Sequence, residues 1–145
     1  MSLAMTREER EVFLAGLHVG VVSVPGEDGR APLAVPIWYR YEPGGLLSFF
    51  TGGESRKARA LRETGRCTVC VQDEAPPYKY TTVEGPVVAI DPVDEEERRR
   101  MAARYLGAAT ADAYIAATAE QAQHEVTVRM RPEHWLSADY SKLGG

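Results

Sequence analysis

The chain has 145 residues, 44% hydrophobic and 26% charged, with a formal net charge of -4. That length suits one domain, 1–145, large enough to bury a core without disulfide staples. The composition is ordinary for a soluble globular protein, and the charge argues against a dedicated nucleic-acid binder, which carries excess positive charge. No apolar run approaches the length of a membrane span, and "MSLAMTREEREVF" at the N-terminus has no segment suited to a signal peptide. A cytoplasmic protein is the expectation, with neither nucleic acid nor membrane as a partner.

In chain order, Thr6 and Glu9 form a T-x-x-E capping box opening the helix "REEREVFLAGL", with Val12, Phe13 and Leu17 on one side. "HVGVVSV" reads as a strand, followed by the turn "PGEDGR". "APLAVPIWYRY" reads as a long second strand. Pro36 within it marks an edge, a bulge, or a place where something other than a strand meets the backbone. "EPGG" turns the chain into a third strand, "LLSFFT". The helix "SRKARALRET" stops at Gly65, and "RCTVCVQD" is strand four. "YKYTTVEGPVVAI" is a long fifth strand with a bulge expected at Gly85-Pro86. Asp94 and Glu97 start the helix "EEERRRMAARYLG", a further helix spans about Asp112 to Gln121, and "HEVTVRMRP" is a sixth strand. The tail "EHWLSADYSKLGG" reads as irregular. Strands joined by tight turns give an antiparallel sheet, and closure or near-closure protects its edges. The predicted architecture is mainly β: a six-stranded antiparallel barrel with flanking helices.

Cys67 and Cys70 match C-x-x-C, but they lie on a β-branched strand. Residues three apart on a strand point to opposite faces, too far apart to bridge. They are read as small strand residues. His18, His124 and His134 are scattered without ligand spacing, so no metal site is expected. Trp38 and Trp135 read first as core or interface residues, although Trp38 lies on the strand that carries Pro36.

One segment runs against the usual grain. The start of the helix "SRKARALRET" should favour acidic residues, because its backbone N–H groups are unpaired and the dipole is positive there. Its first two positions are Arg56 and Lys57. One reading makes them solvated surface cations partly offset by Glu54. The other places a phosphate at the helix start, met by N–H groups, the Thr51 and Ser55 hydroxyls and both cations, with Gly52 and Gly53 allowing close approach. The pattern is neither a Walker loop nor a dinucleotide fingerprint.

As a set, "LLSFFTGGESRKARAL", "VPIWYRY" and "YKYTTVEGPVVAI" resemble the flavin-mononucleotide-binding segments of the pyridoxamine 5′-phosphate oxidase-like split barrels. "RPEHWLSADYSKLG" is similar to the end of actinobacterial members that use flavin or the deazaflavin coenzyme F-420. The resemblance implies a split β-barrel homodimer with FMN or F-420 at its interface, acting as an oxidoreductase on a small organic substrate. The alternative is a cofactor-binding protein or sensor without turnover. By position, Arg56 and Lys57 would pair with the cofactor phosphate, helped by Thr51 and Ser55. Pro36, Ile37 and Trp38 would line the ring system through their backbone, Phe50 would sit beside the ribityl-phosphate end, and Lys79 or Tyr80 would reach the partner's cofactor. Val35 and Tyr80 stand where the oxidase itself carries Arg and Gln, and its C-terminal substrate-binding pattern is missing, so oxidation of pyridoxamine phosphate is not expected.

Overall fold

The computed structural model describes residues 2–144. Eight antiparallel strands form a curled half-barrel with flanking helices. The strands are β1 (Gly20–Val24), β2 (Leu33–Ile37), β3 (Tyr39–Tyr41), β4 (Leu47–Gly52), β5 (Arg66–Asp73), β6 (Lys79–Pro92), β7 (Glu125–Met130) and β8 (His134–Asp139). They run in the order β2-β1-β5-β6-β7-β4-β3, with β8 also on β6. The helices are α1 (Arg7–Ala15), α2 (Arg56–Thr64), α3 (Glu95–Leu106), α4 (Ala108–Ala117) and the short α5 (Ala119–Ala122).

Two strands beyond the expected six come from separate causes. The predicted second strand divides at Trp38: β2 pairs with β1, whereas β3 pairs with β4. The break is stabilised by a side chain from α3. The Tyr105 hydroxyl accepts from the Tyr39 N–H (3.0 Å) and donates to the His18 carbonyl (2.6 Å), with the Tyr39 carbonyl at 3.1 Å as a second acceptor in reach. A phenol thus does the work of a neighbouring strand at the point where the chain changes sheets. The second correction is the tail, which is ordered: His134–Asp139 pairs with Glu84–Lys79 of β6.

β6 belongs to both halves of the structure. Its first part pairs with β5 and β8, and from Val87 onward it pairs with β7. It changes allegiance over a few residues. Gly85 lies so close to the Arg131 carbonyl that a Cβ would collide with it. The register slips between Val87 and Ala89, so the bulge sits at Val88, beyond the expected Gly85-Pro86.

The core lies in the concave side, built from Val22, Val24, Tyr39, Leu47, Phe49, Val69, Val71, Val83, Val128 and Met130, and is closed by Leu14 of α1 and Leu61 of α2. The Tyr39 hydroxyl, buried in it, donates to the Leu14 carbonyl at 2.6 Å. On α1 the capping box forms as read, but Leu14 is its buried residue. Val12 stays 62% exposed and Leu17, past the helix end, 60%. Trp135 packs edge-on to Tyr41 with the Arg10 guanidinium over its ring. No helix of the described residues is long and apolar enough to cross a membrane.

Candidate functional site

The start of α2 is built by local sequence. Ser55 caps it by accepting from the Ala58 N–H at 3.1 Å, and the Thr51 and Ser55 hydroxyls lie 3.2 Å apart. Gly53 anchors the preceding turn by donating to the His124 carbonyl at 2.7 Å. At the other end Gly65 takes the left-handed conformation, φ 69°, that lets the helix stop.

The cations of α2 divide into two groups. Arg59 pairs with Glu27 at 2.8 Å, and Arg62 donates to the Gly53 carbonyl at 2.7 Å. Among the described residues neither Arg56 nor Lys57 has an ion-pair partner, and the first turn of α2 carries no acid. The two differ in surroundings. Arg56 is exposed, whereas Lys57 is half-buried, and loss of solvent lowers its ammonium pKa.

Lys57 faces a cleft of about 300 Å³, lined also by Val19, Pro36, Ile37, Trp38, Phe50, Tyr114 and Glu125. Five expected site residues therefore meet: Pro36, Ile37, Trp38, Phe50 and Lys57. Thr51, Ser55 and Arg56 adjoin the helix start without lining the cleft, and Thr51 is buried. Lys79 and Tyr80 lie elsewhere in the same chain. Lys79 borders a different cavity of about 400 Å³ with Met5, Phe13 and Asp139. Tyr80 lies opposite Gln72 and Ala138 in the sheet.

β2 ends the strand order, so one side of its backbone has no sheet partner, as Pro36 foretold. Trp38 is fixed by aromatic packing. It stacks on Tyr105 with centroids 5.0 Å apart and planes within 4°, and Tyr114 of α4 leans on it at 5.3 Å. Tyr114 and Glu125 escaped sequence reasoning. Glu125 opens β7 directly opposite Gly52 of β4, a pairing across 73 positions that no local pattern announces. Burial raises its carboxyl pKa, and the charge of Arg98 opposes that effect. Cys67 and Cys70 are unbridged, with Cys67 buried and Cys70 on the opposite face of β5.

The sequence matches the pyridoxamine 5′-phosphate oxidase family over residues 6–138. The chain belongs to this family. Solved structures agree on the fold. A conserved hypothetical protein of Mycobacterium tuberculosis superposes with a TM-score of 0.77 at 24% identity, covering 99% of this chain and 91% of that one. An F420 reductase gives 0.70 at 22% identity, covering 87% and 94%. A FAD-binding protein of Mesorhizobium loti gives 0.60 at 19% identity, covering 92% and 93%. No curated protein matches the chain. Membership in the pyridoxamine 5′-phosphate oxidase family and the split-barrel architecture are thus fixed, and the chemistry of this member rests on its own cleft.

Proposed function

We propose that the protein is a flavin- or deazaflavin-dependent oxidoreductase that binds FMN or coenzyme F-420 in the cleft at the start of α2 and acts on a small organic substrate. The observation that carries this reading is Lys57: a half-buried cation without an ion-pair partner, facing an aromatic cleft beside an unpaired strand edge. A built cation without an ion-pair partner fits an anionic ligand. The cleft is at the small end for a ligand pocket, in keeping with one protomer supplying part of a larger site.

The residues fit such a cofactor in kind. Lys57, the N–H groups at the helix start and Arg56 at its rim would hold a phosphate, with the Ser55 and Thr51 hydroxyls beside it. The backbone of Pro36, Ile37 and Trp38 offers a fixed polar edge to a flat heterocycle, and Phe50 and Tyr114 offer apolar contact. When bound, the cofactor supplies the hydride or electron transfer. The chain orients it and limits water on one side.

The working unit in this reading is a homodimer. One face of the β2-β1-β5-β6-β8 sheet carries a cross-strand row of Pro36, Val21, Cys70, Thr82 and Leu136. Val21 is 39% exposed and Leu136 63%. A second copy covering this face would bring Tyr80, and Lys79 near it, toward the partner's cleft. Two unbridged thiols agree with a reducing, cytoplasmic setting.

The test is the ligand that copurifies from a host able to make both cofactors, identified by absorbance and mass. Rapid oxidation of the reduced cofactor by a defined substrate then separates an oxidoreductase from a carrier or sensor. A protein that binds neither cofactor refutes the proposal.

A further inference from the structure

We propose that Glu125 is the proton-holding group of the cleft and exchanges its proton with a polar atom of the molecule bound there. The proposal deepens the reading of the cleft as a ligand site, and it stands on placement. Glu125 lines the cleft and also an adjoining small pocket of about 30 Å³, shared with Trp38, Phe50, Arg98, Met101, Ala102 and Tyr114. Glu125 therefore borders both cavities.

The charged or titratable groups that line these cavities with Glu125 are Lys57, Arg98 and Tyr114, and His124 precedes it in the chain. Lys57 of α2 faces the same cleft but forms no ion pair with Glu125. Arg98 of α3 is the nearest buried cation, and its guanidinium is already committed. It donates to Glu95 at 3.0 and 3.2 Å, to the Thr118 hydroxyl at 2.9 Å and to the Ile115 carbonyl at 3.1 Å. Tyr114 of α4 contributes a phenol to the wall. Among the described residues none donates a hydrogen bond to the Glu125 carboxyl. A half-buried carboxylate with no hydrogen-bond donor loses part of its hydration, a loss that the charge of Arg98 offsets only in part. The protonated form avoids that loss and offers an O–H to a ligand acceptor.

Position makes this group dependable. It starts a strand whose neighbouring backbone is pinned by the Gly53 N–H to His124 carbonyl bond, so the residue's backbone is held at the cleft wall. In the exchange the carboxyl O–H bond breaks, and its proton goes to a ligand oxygen or nitrogen that supplies the electron pair. The resulting carboxylate regains a proton from water at the mouth. No electrons change hands in this step.

The test uses the full chain with FMN and F-420 as probes. Carboxyl carbon-13 NMR of the ligand-free protein, with Glu125 assigned by comparison with E125Q, should show it titrating above the exposed glutamates. Calorimetry in two buffers of different ionisation enthalpy should show net proton exchange on binding for the wild type, and loss of that buffer dependence in E125Q. Glu125 titrating together with the exposed glutamates, or E125Q keeping the wild-type proton exchange, overturns the proposal. If neither probe binds, the reading of the cleft as a flavin or deazaflavin site falls. The ligand-free titration then decides by itself whether Glu125 is a proton-holding group.

Discussion

Trp38 lies flat on Tyr105, and the hydroxyl of the same Tyr105 holds the backbone of the next residue, Tyr39. One side chain from α3 therefore fixes both the wall of the cleft and the break between β2 and β3. Tyr105→Phe keeps the stacking and removes the hydroxyl. It should leave the Tyr39 N–H unpaired and cost about 1–3 kcal/mol, read as a lowered denaturant midpoint with an unchanged slope. Tyr105→Ala should in addition loosen Trp38, seen as a change in tryptophan fluorescence.

Lys57 and Arg56 should no longer be equivalent. Lys57→Ala removes the cation that faces the cleft, and a charge-assisted contact of about 1.5–3 kcal/mol corresponds to about tenfold to a hundredfold in affinity. Arg56→Ala, at an exposed position, should cost less. Fluorescence titration with FMN and F-420 orders the two. Equal affinity for wild type and the folded Lys57→Ala protein would remove Lys57 from the site.

Cys67 and Cys70 should behave as unlike residues. Burial pushes the Cys67 thiol up to about 11, whereas Cys70 lies on the other face of β5. An alkylating reagent at mildly alkaline pH should spare Cys67 in the folded chain, and should label Cys70 once the β2-β1-β5-β6-β8 face is uncovered, as in a monomeric Leu136→Arg variant. The linkage has a definite sign. The thiol is held neutral in the fold above its ordinary value of 9.0, so its contribution is intact below about pH 9 and is lost as pH rises toward about 11. Cys67→Ala should flatten that alkaline fall in thermal melts while lowering stability at neutral pH through the lost packing. A disulfide found by peptide mapping of the oxidised protein would contradict both statements.

Dimerisation should depend on the row across the β2-β1-β5-β6-β8 face. Light scattering of the wild type at micromolar concentration should report about twice the chain mass, since an obligate apolar interface buries about 2,000 Å² or more. Leu136→Arg and Val21→Arg should each shift the protein toward monomer and weaken cofactor binding together. Mixing a chain defective at Arg56 and Lys57 with one defective at Tyr80 should restore one competent site per heterodimer. A monomeric wild type with full cofactor affinity would end the shared-site proposal.

What the sequence revealed follows the reach of each interaction. The capping box of Thr6 and Glu9 and the Gly65 stop of α2 lie within single helices, and both form as read. The Pro36 signal was also local, and β2 is an edge strand. The break at Trp38 was invisible because its cause, Tyr105, lies 66 residues from the Tyr39 backbone it holds. β8 was missed because its pairing partner, not its own composition, makes it a strand. In the cleft, the helix start drew attention to Lys57 through reversed charge. Glu125 and Tyr114 carried no such local conflict, and only the pairing of β4 with β7 and the packing of α4 bring them there.

The pairing of β8 with β6 also orders events in time. On the ribosome β6 emerges with β5 already made, but the edge later taken by β8 must wait for some fifty further residues. The segment before α1 waits as well: the Met5 N–H donates to the Ser137 hydroxyl at 3.0 Å, and the Asp139 N–H to the Leu3 carbonyl at 2.8 Å. Until the last strand arrives, the nascent chain presents an open strand edge beside an unlatched leading segment. That interval is when a second nascent copy could pair wrongly along the open edge.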